Sequence, residues 1–201
     1  PEQPFGLDFG GVTIDDAGLK ELAVFKKLRM LSLTETKVTD AGLKELAAHG
    51  QLHLLSLGSI PITDVGLKEV SRCQELQWLF LYETKVTDAG MKELAKLKQL
   101  QLLDLSAVKI TDAGVKELAG LEQLDTLVLY KTDVTDSGLK ELAGLKRLQF
   151  LHLEGTKVTD AGLKELAGLR QLRTLVLRET KVTDAGVGEL QKALPKLKIS
   201  R

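Results

Sequence analysis

The stretch Val38–Ala47 reads VTDAGLKELA, and it returns almost unchanged along the whole chain. Its aspartate recurs at Asp16, Asp40, Asp64, Asp88, Asp112, Asp136, Asp160 and Asp184, always 24 residues on, with no insertion or deletion. A fixed period of this length marks a stack of small units, none of which can bury its apolar face alone. Eight copies fill the 201 residues, so 1–201 reads as one continuous domain. Residues 1–27 form a first, incomplete unit and 191–201 a closing segment.

The second unit shows the full pattern. Leu28, Leu31 and Leu33 are spaced L-x-x-L-x-L, and the alternation of Leu31 and Leu33 predicts a short half-buried strand. Leu43, Leu46 and position 49 then fall three apart, which puts them on one face of a short helix. Each unit is therefore strand, turn, helix, turn. Thr39 and Asp40 are both able to cap the free amides at the helix start, and the sequence does not choose between them. Gly42 is glycine in all eight copies although glycine weakens a helix by about 1 kcal/mol relative to Ala. Close approach of the neighbouring unit is the expected reason. Lys44 and Glu45 read as a solvated outer face.

These motifs, L-x-x-L-x-L-x-x-T followed by V-T-D-A-G-L-K-E-L-A, resemble the leucine-rich repeats of bacterial proteins. The 24-residue unit with a helical back is most similar to the ribonuclease-inhibitor-like and F-box-type subclasses. The resemblance implies an α/β leucine-rich repeat solenoid: a right-handed curved horseshoe with a parallel sheet on the concave face and helices on the convex face. At about 4.8 Å between strands, the inner sheet would be on the order of 35–40 Å long. Where the family usually has Asn or Cys after the strand, this chain has Thr36, Thr84, Thr132, Thr156 and Thr180, with Val12, Ile60 and Val108 in the same column. That column asks for a β-branched shape, with the hydroxyl as an addition. The end, Leu190 to Ile199 with Pro195, resembles the way such bacterial arrays close. The start has less of a polar finish, which predicts further protein before Pro1. A secreted or cell-surface bacterial setting is suggested by the resemblance alone; the compartment stays open.

Composition narrows the function. The chain is 43% hydrophobic and 28% charged with a formal net charge of zero, so nothing favours a nucleic-acid backbone or an anionic membrane. No apolar run approaches the roughly 20 residues that span a bilayer. The single cysteine, Cys73, excludes an intramolecular disulfide. It shares a core column with His49, Phe25 and Leu97, so His49 and Cys73 read as buried fillers. No Gly-rich phosphate loop, C-x-x-C or H-E-x-x-H motif occurs, and no base pairs with Asp104, so neither a catalytic centre nor a cofactor is expected. The eight aspartates are read as helix-start residues, because calcium requires six to eight oxygens converging within about 2.6 Å.

The copies differ in the residues that flank the strand leucines and point onto the concave face. The first column runs Gly6, Met30, Leu54, Trp78, Leu102, Thr126, Phe150, Thr174. The second runs Asp8, Ser32, Ser56, Phe80, Asp104, Val128, His152, Val176, and the third includes Gly58, Tyr82, Ser106, Tyr130, Glu154 and Arg178. Five of the eight aromatics, including the only tryptophan, fall in these columns, and Trp78, Phe80 and Tyr82 share one strand. An apolar centre with polar edges describes a protein-binding patch, and Trp and Tyr most often carry binding energy. The expected site is Trp78, Phe80, Tyr82, Leu54, Leu102, Asp104, Tyr130, Phe150, His152 and Glu154. The opposing reading is passive filling of a sheet that favours aromatics. The expected function is a non-catalytic scaffold for a protein or peptide, a monomer or weakly self-associating through the concave face or end strands. A carbohydrate surface and a structural spacer in a larger surface or signalling protein are the alternatives.

Overall fold

The computed structural model describes residues 3–201, the side chains of Ala47 and Ala48 excepted. Pro1 and Glu2 of the first unit lie outside the described residues. One open parallel sheet runs in strict chain order: β1 Phe5–Asp8, β2 Leu28–Ser32, β3 Leu54–Ser56, β4 Trp78–Phe80, β5 Leu102–Asp104, β6 Thr126–Val128, β7 Phe150–His152, β8 Thr174–Val176 and β9 Lys198–Ser200. The second layer is made of short helices: α1 Asp16–Glu21, α2 Asp64–Val70, α3 Asp88–Leu94, α4 Asp112–Glu117, α5 Asp136–Leu142, α6 Asp160–Leu163 and α7 Asp184–Ala193. The second unit differs, with a 3-10 helix over Gly42–His49. The core lies between the layers. Leu31, Leu55, Leu79, Leu103, Leu127, Leu151 and Leu175 pair in register and are fully buried. Each such leucine contributes about 1.5–3 kcal/mol through burial.

Two features of every unit position the concave face. The residue after the third outward position takes a left-handed conformation in Glu35, Ser59, Glu83, Ala107, Lys131 and Glu179, with φ between 52° and 56°, and in Gly11 and Gly155 at 70°. That turn aims its amide at the next unit: Ser59 N–H donates to the Tyr82 carbonyl at 2.9 Å and Ala107 N–H to the Tyr130 carbonyl at 2.7 Å. The sheet ladder is thus extended beyond the strand, which offsets a backbone cost of roughly 1–2 kcal/mol per residue. Next in the chain, the hydroxyls of Thr36, Thr84, Thr132, Thr156 and Thr180 donate to the carbonyls of Leu33, Leu81, Leu129, Leu153 and Leu177 at 2.6–2.8 Å. Ile60 and Val108 fill the same column without this bond and are buried, whereas Val12 is 52% exposed because no described unit covers it.

The aspartates that define the period link units. Asp16 Oδ1 accepts from Thr39 N–H and Oδ2 from the Thr39 hydroxyl, both at 2.7 Å. The same pair of bonds joins Asp40 to Thr63, Asp64 to Thr87, Asp88 to Thr111, Asp112 to Thr135, Asp136 to Thr159 and Asp160 to Thr183, at 2.6–2.8 Å. Threonine is the helix cap: Thr63, Thr87, Thr111, Thr135, Thr159 and Thr183 accept from amides of the first turn. In α1 the cap is Asp15, which accepts from Gly18 N–H. The glycine column follows from this link. A Cβ on Gly42, Gly66, Gly90, Gly114, Gly138, Gly162 or Gly186 would lie within 2.6 Å of the preceding unit's aspartate oxygen. Only a hydrogen fits there.

Candidate functional site

The register places the first two outward columns side by side across the strands. Met30, Leu54, Trp78, Leu102, Thr126 and Phe150 form one cross-strand row, and Ser56, Phe80, Asp104, Val128 and His152 the next. Trp78 is 37% exposed and Met30 44%, while Leu54, Leu102, Phe80, Tyr82, Tyr130, Phe150, His152 and Glu154 are half-buried. Half-burial on an otherwise open sheet face comes from neighbouring side chains on the same face, which lie about 4.8 Å apart across strands.

The ten residues fall into two groups. The first is centred on β4. Trp78 stands between Leu54 and Leu102. Phe80 stands between Ser56 and Asp104. Tyr82 lies over Gly58, whose added Cβ would overlap the phenol ring. Gly58 is therefore a seat for the Tyr82 ring. Asp104 Oδ1 accepts from the Ser106 amide at 2.9 Å and hydroxyl at 2.6 Å, so its carboxylate is held in place by its own turn. Among the described residues no ring contact joins Trp78, Phe80 and Tyr82 to each other.

The second group is on β6 and β7. The His152 ring stacks at a tilt on Tyr130, with centroids 5.6 Å apart, and takes Phe150 edge-on at 6.3 Å. His152 Nε2 is 3.2 Å from the Glu154 carboxylate. The Lys131 ammonium lies 5.0 Å above the Tyr130 ring centre. The Tyr130 hydroxyl, with help from Glu179 and Glu154, pushes the Lys131 pKa upward and keeps this cation charged. Tyr130, Phe150, His152 and Glu154 all belong to the expected site, but the contacts between them have no sequence signal, because they depend on side-chain direction across two strands. Three strand spacings, about 14 Å, separate β4 from β7. The face thus offers one open apolar ridge and one closed polar-aromatic cluster.

The remaining candidates are structural. Cys73 is fully buried, its Sγ 3.7 Å from the Leu46 carbonyl, and burial pushes the thiol up to about 11. A thiol in that state is a poor nucleophile. His49 is buried with neither ring nitrogen hydrogen-bonded. Desolvation foremost, and Lys26 after it, lower its pKa, offset in part by the Phe25 backbone, so it stays neutral in the fold. The aspartates from Asp16 to Asp160 each hold a threonine of the next unit with both oxygens, and among the described residues no three carboxylate, imidazole or thiol groups converge as a metal site would require. No helix among the described residues is long and apolar enough to cross a membrane.

Comparison with known proteins agrees with this geometry. Residues 12–185 match the family described as "Leucine-rich repeat region". Curated proteins give no match. Among solved structures, internalin C2 of Listeria monocytogenes is 27% identical over 97% of this chain and 80% of its own, with a TM-score of 0.79. The internalin inlF of the same organism is 24% identical over 97% of this chain and 52% of its own, with a TM-score of 0.78, a likeness of fold alone. A leucine-rich repeat protein of Leptospira interrogans is 26% identical over 90% and 51%, with a TM-score of 0.67. This chain spans about half the length of the latter two. The open parallel sheet, the leucine ladder and the match over residues 12–185 together show that the chain belongs to the leucine-rich repeat family.

Proposed function

We propose that this chain is a non-catalytic scaffold that captures a protein or an extended peptide on its concave face, centred on Trp78. Leucine-rich repeats are in general non-catalytic interaction scaffolds. The observation that carries the reading is the Trp78 row. The only tryptophan of the chain stands 37% exposed between two half-buried leucines. A large, rigid, partly exposed aromatic with apolar neighbours and a polar rim is the commonest anchor of a protein interface. Phe80 on β4 and the seated Tyr82, in the turn just after that strand, extend it, and Asp104, held by Ser106, supplies a fixed acceptor beside it. The 24-residue period and the α-helical first turn in seven of eight units support assignment to the ribonuclease-inhibitor-like or F-box-type subclass.

Because Trp78 is the sole tryptophan, the protein carries its own reporter. A partner recovered from the source organism and then purified should shift Trp78 emission to shorter wavelength on titration. Trp78→Ala should weaken that partner at least about tenfold while leaving the unfolding midpoint within the range of a surface change. A partner that binds Trp78→Ala with unchanged affinity would remove this face as the site. The ring cluster of Tyr130, Phe150 and His152 beside Glu154 favours one second reading, stacking on a sugar ring. Glycan-array binding lost in Tyr130→Ala but kept in Trp78→Ala would select it.

A further inference from the structure

The C-terminal end of the array carries a cation cluster that the concave aromatic site does not use. Arg170, Arg173, Lys196 and Lys198 line one groove together with Leu172 and Thr174. All four cations are exposed. None of the four side chains makes an ion pair or a hydrogen bond among the described residues. No carboxylate lines the groove. Charges over the whole chain balance, 28 of each sign, so this is a local segregation that a random surface does not require. Like charges brought together in one groove repel one another and concentrate positive potential there.

The groove opens on the sheet side. Thr174 and Lys198 are in-register partners at the end of the Trp78 row. Upstream along the same edge the sign reverses at Glu122 and Asp125, both at least partly exposed. The four cations lie beside β8 and β9 and the positive zone ends before β6, so it spans at most two strand spacings, or roughly 10 Å. A nucleic-acid backbone, with phosphates in long succession, calls for a longer stripe. A few carboxylates fit this length, and two guanidiniums offer the planar fork that binds carboxylate oxygens in pairs.

We propose that the Arg170–Arg173–Lys196–Lys198 groove is a binding site for an acidic peptide segment. It adds a second, charge-selective contact surface to the array and stands whether or not Trp78 anchors a partner. Where both hold, four strand spacings, about 19 Å, separate β4 from β8. An extended peptide would cover that distance in about six residues.

Fluorescence anisotropy of a labelled short poly-glutamate peptide with the whole chain tests this at low ionic strength. Poly-glutamate should bind, poly-glutamine of the same length should not, and binding should vanish near 1 M salt, where the screening length is about 3 Å. Arg173→Glu with Lys198→Glu should weaken poly-glutamate about tenfold or more. The neutral pair Arg173→Gln with Lys198→Gln serves if charge reversal disturbs the circular dichroism spectrum. Trp78→Ala should leave poly-glutamate affinity unchanged, so failure here and failure at the aromatic face are separable. Equal binding of poly-glutamine, unchanged affinity in the Arg173/Lys198 variants, or loss in Trp78→Ala would each overturn the site. Tighter binding of a single-stranded oligonucleotide of equal charge, lost in the same variants, would overturn the peptide assignment in favour of phosphate.

Discussion

The helix-start edge and the concave face share one 24-residue register and use it in opposite ways. At the helix start, aspartate, threonine and glycine repeat because each rung makes the same two hydrogen bonds and leaves the same gap for a hydrogen. On the concave face, positions 24 apart hold Leu54, Trp78, Leu102 and Thr126 in adjacent strands. Stacking constrains the first set fully and the second hardly at all. Uniformity in a repeat protein thus reports junctions, and departure from it reports what the surface has been shaped to meet.

That contrast can be broken deliberately. The largest effect is expected from Gly90→Ala, whose Cβ would press on the Asp64 carboxylate and lie 2.8 Å from Leu67 Cδ1. Urea unfolding should show a loss of about 2–3 kcal/mol. Gly144→Ala, with open space around the new Cβ, should show none. Asp112→Ala removes both acceptors of the Thr135 amide and hydroxyl, and should cost about 1–2 kcal/mol after allowance for part exposure. Retention of wild-type stability in Asp112→Ala would show the rungs to be ornamental.

The second unit sharpens the comparison, because there the uniform edge itself is altered. His49 replaces the leucine of other units at the end of a 3-10 helix and is buried neutral, its pKa below the ordinary 6.5. At pH above 6.5 both folded and unfolded chains hold it unprotonated, and it adds no pH dependence. As pH falls through 6.5 the unfolded chain takes up the proton and the folded chain does not, so stability declines until the folded pKa is reached. His49→Leu should remove that part of the acid sensitivity from thermal melts between pH 7 and pH 5. An unchanged pH profile would mean that the ring is already solvated. The smallest expected change is a gain: Ala107→Gly, at φ 55° with no side-chain bond to lose, should stabilise by about 0.5 kcal/mol.

The stacked strand-turn-helix unit was readable from a period of 24 and a two-residue alternation, and the parallel horseshoe from the resemblance to leucine-rich repeats. The columns of the concave face followed from the same alternation, so Trp78, Phe80 and Tyr82 could be placed together before any coordinate. Three things were not readable. The aspartate reaches a threonine 23 residues on, and sequence alone offered capping of its own helix as an equally good use. The left-handed turn falls on Glu, Ser, Ala and Lys as readily as on Gly, because the bond it makes to the next unit outweighs residue preference. The division of the aromatics into a β4 ridge and a Tyr130–His152 cluster depends on ring directions, which spacing does not encode.

The aspartate–threonine rung has a further consequence for descent. Its donors and acceptors are supplied once per 24 residues, and always to the same neighbour. A gene that duplicates or drops 24 codons therefore gains or loses a unit whose junctions on both sides are already complete. Length can drift by recombination while the outward columns drift by point mutation, and neither process has to wait for the other.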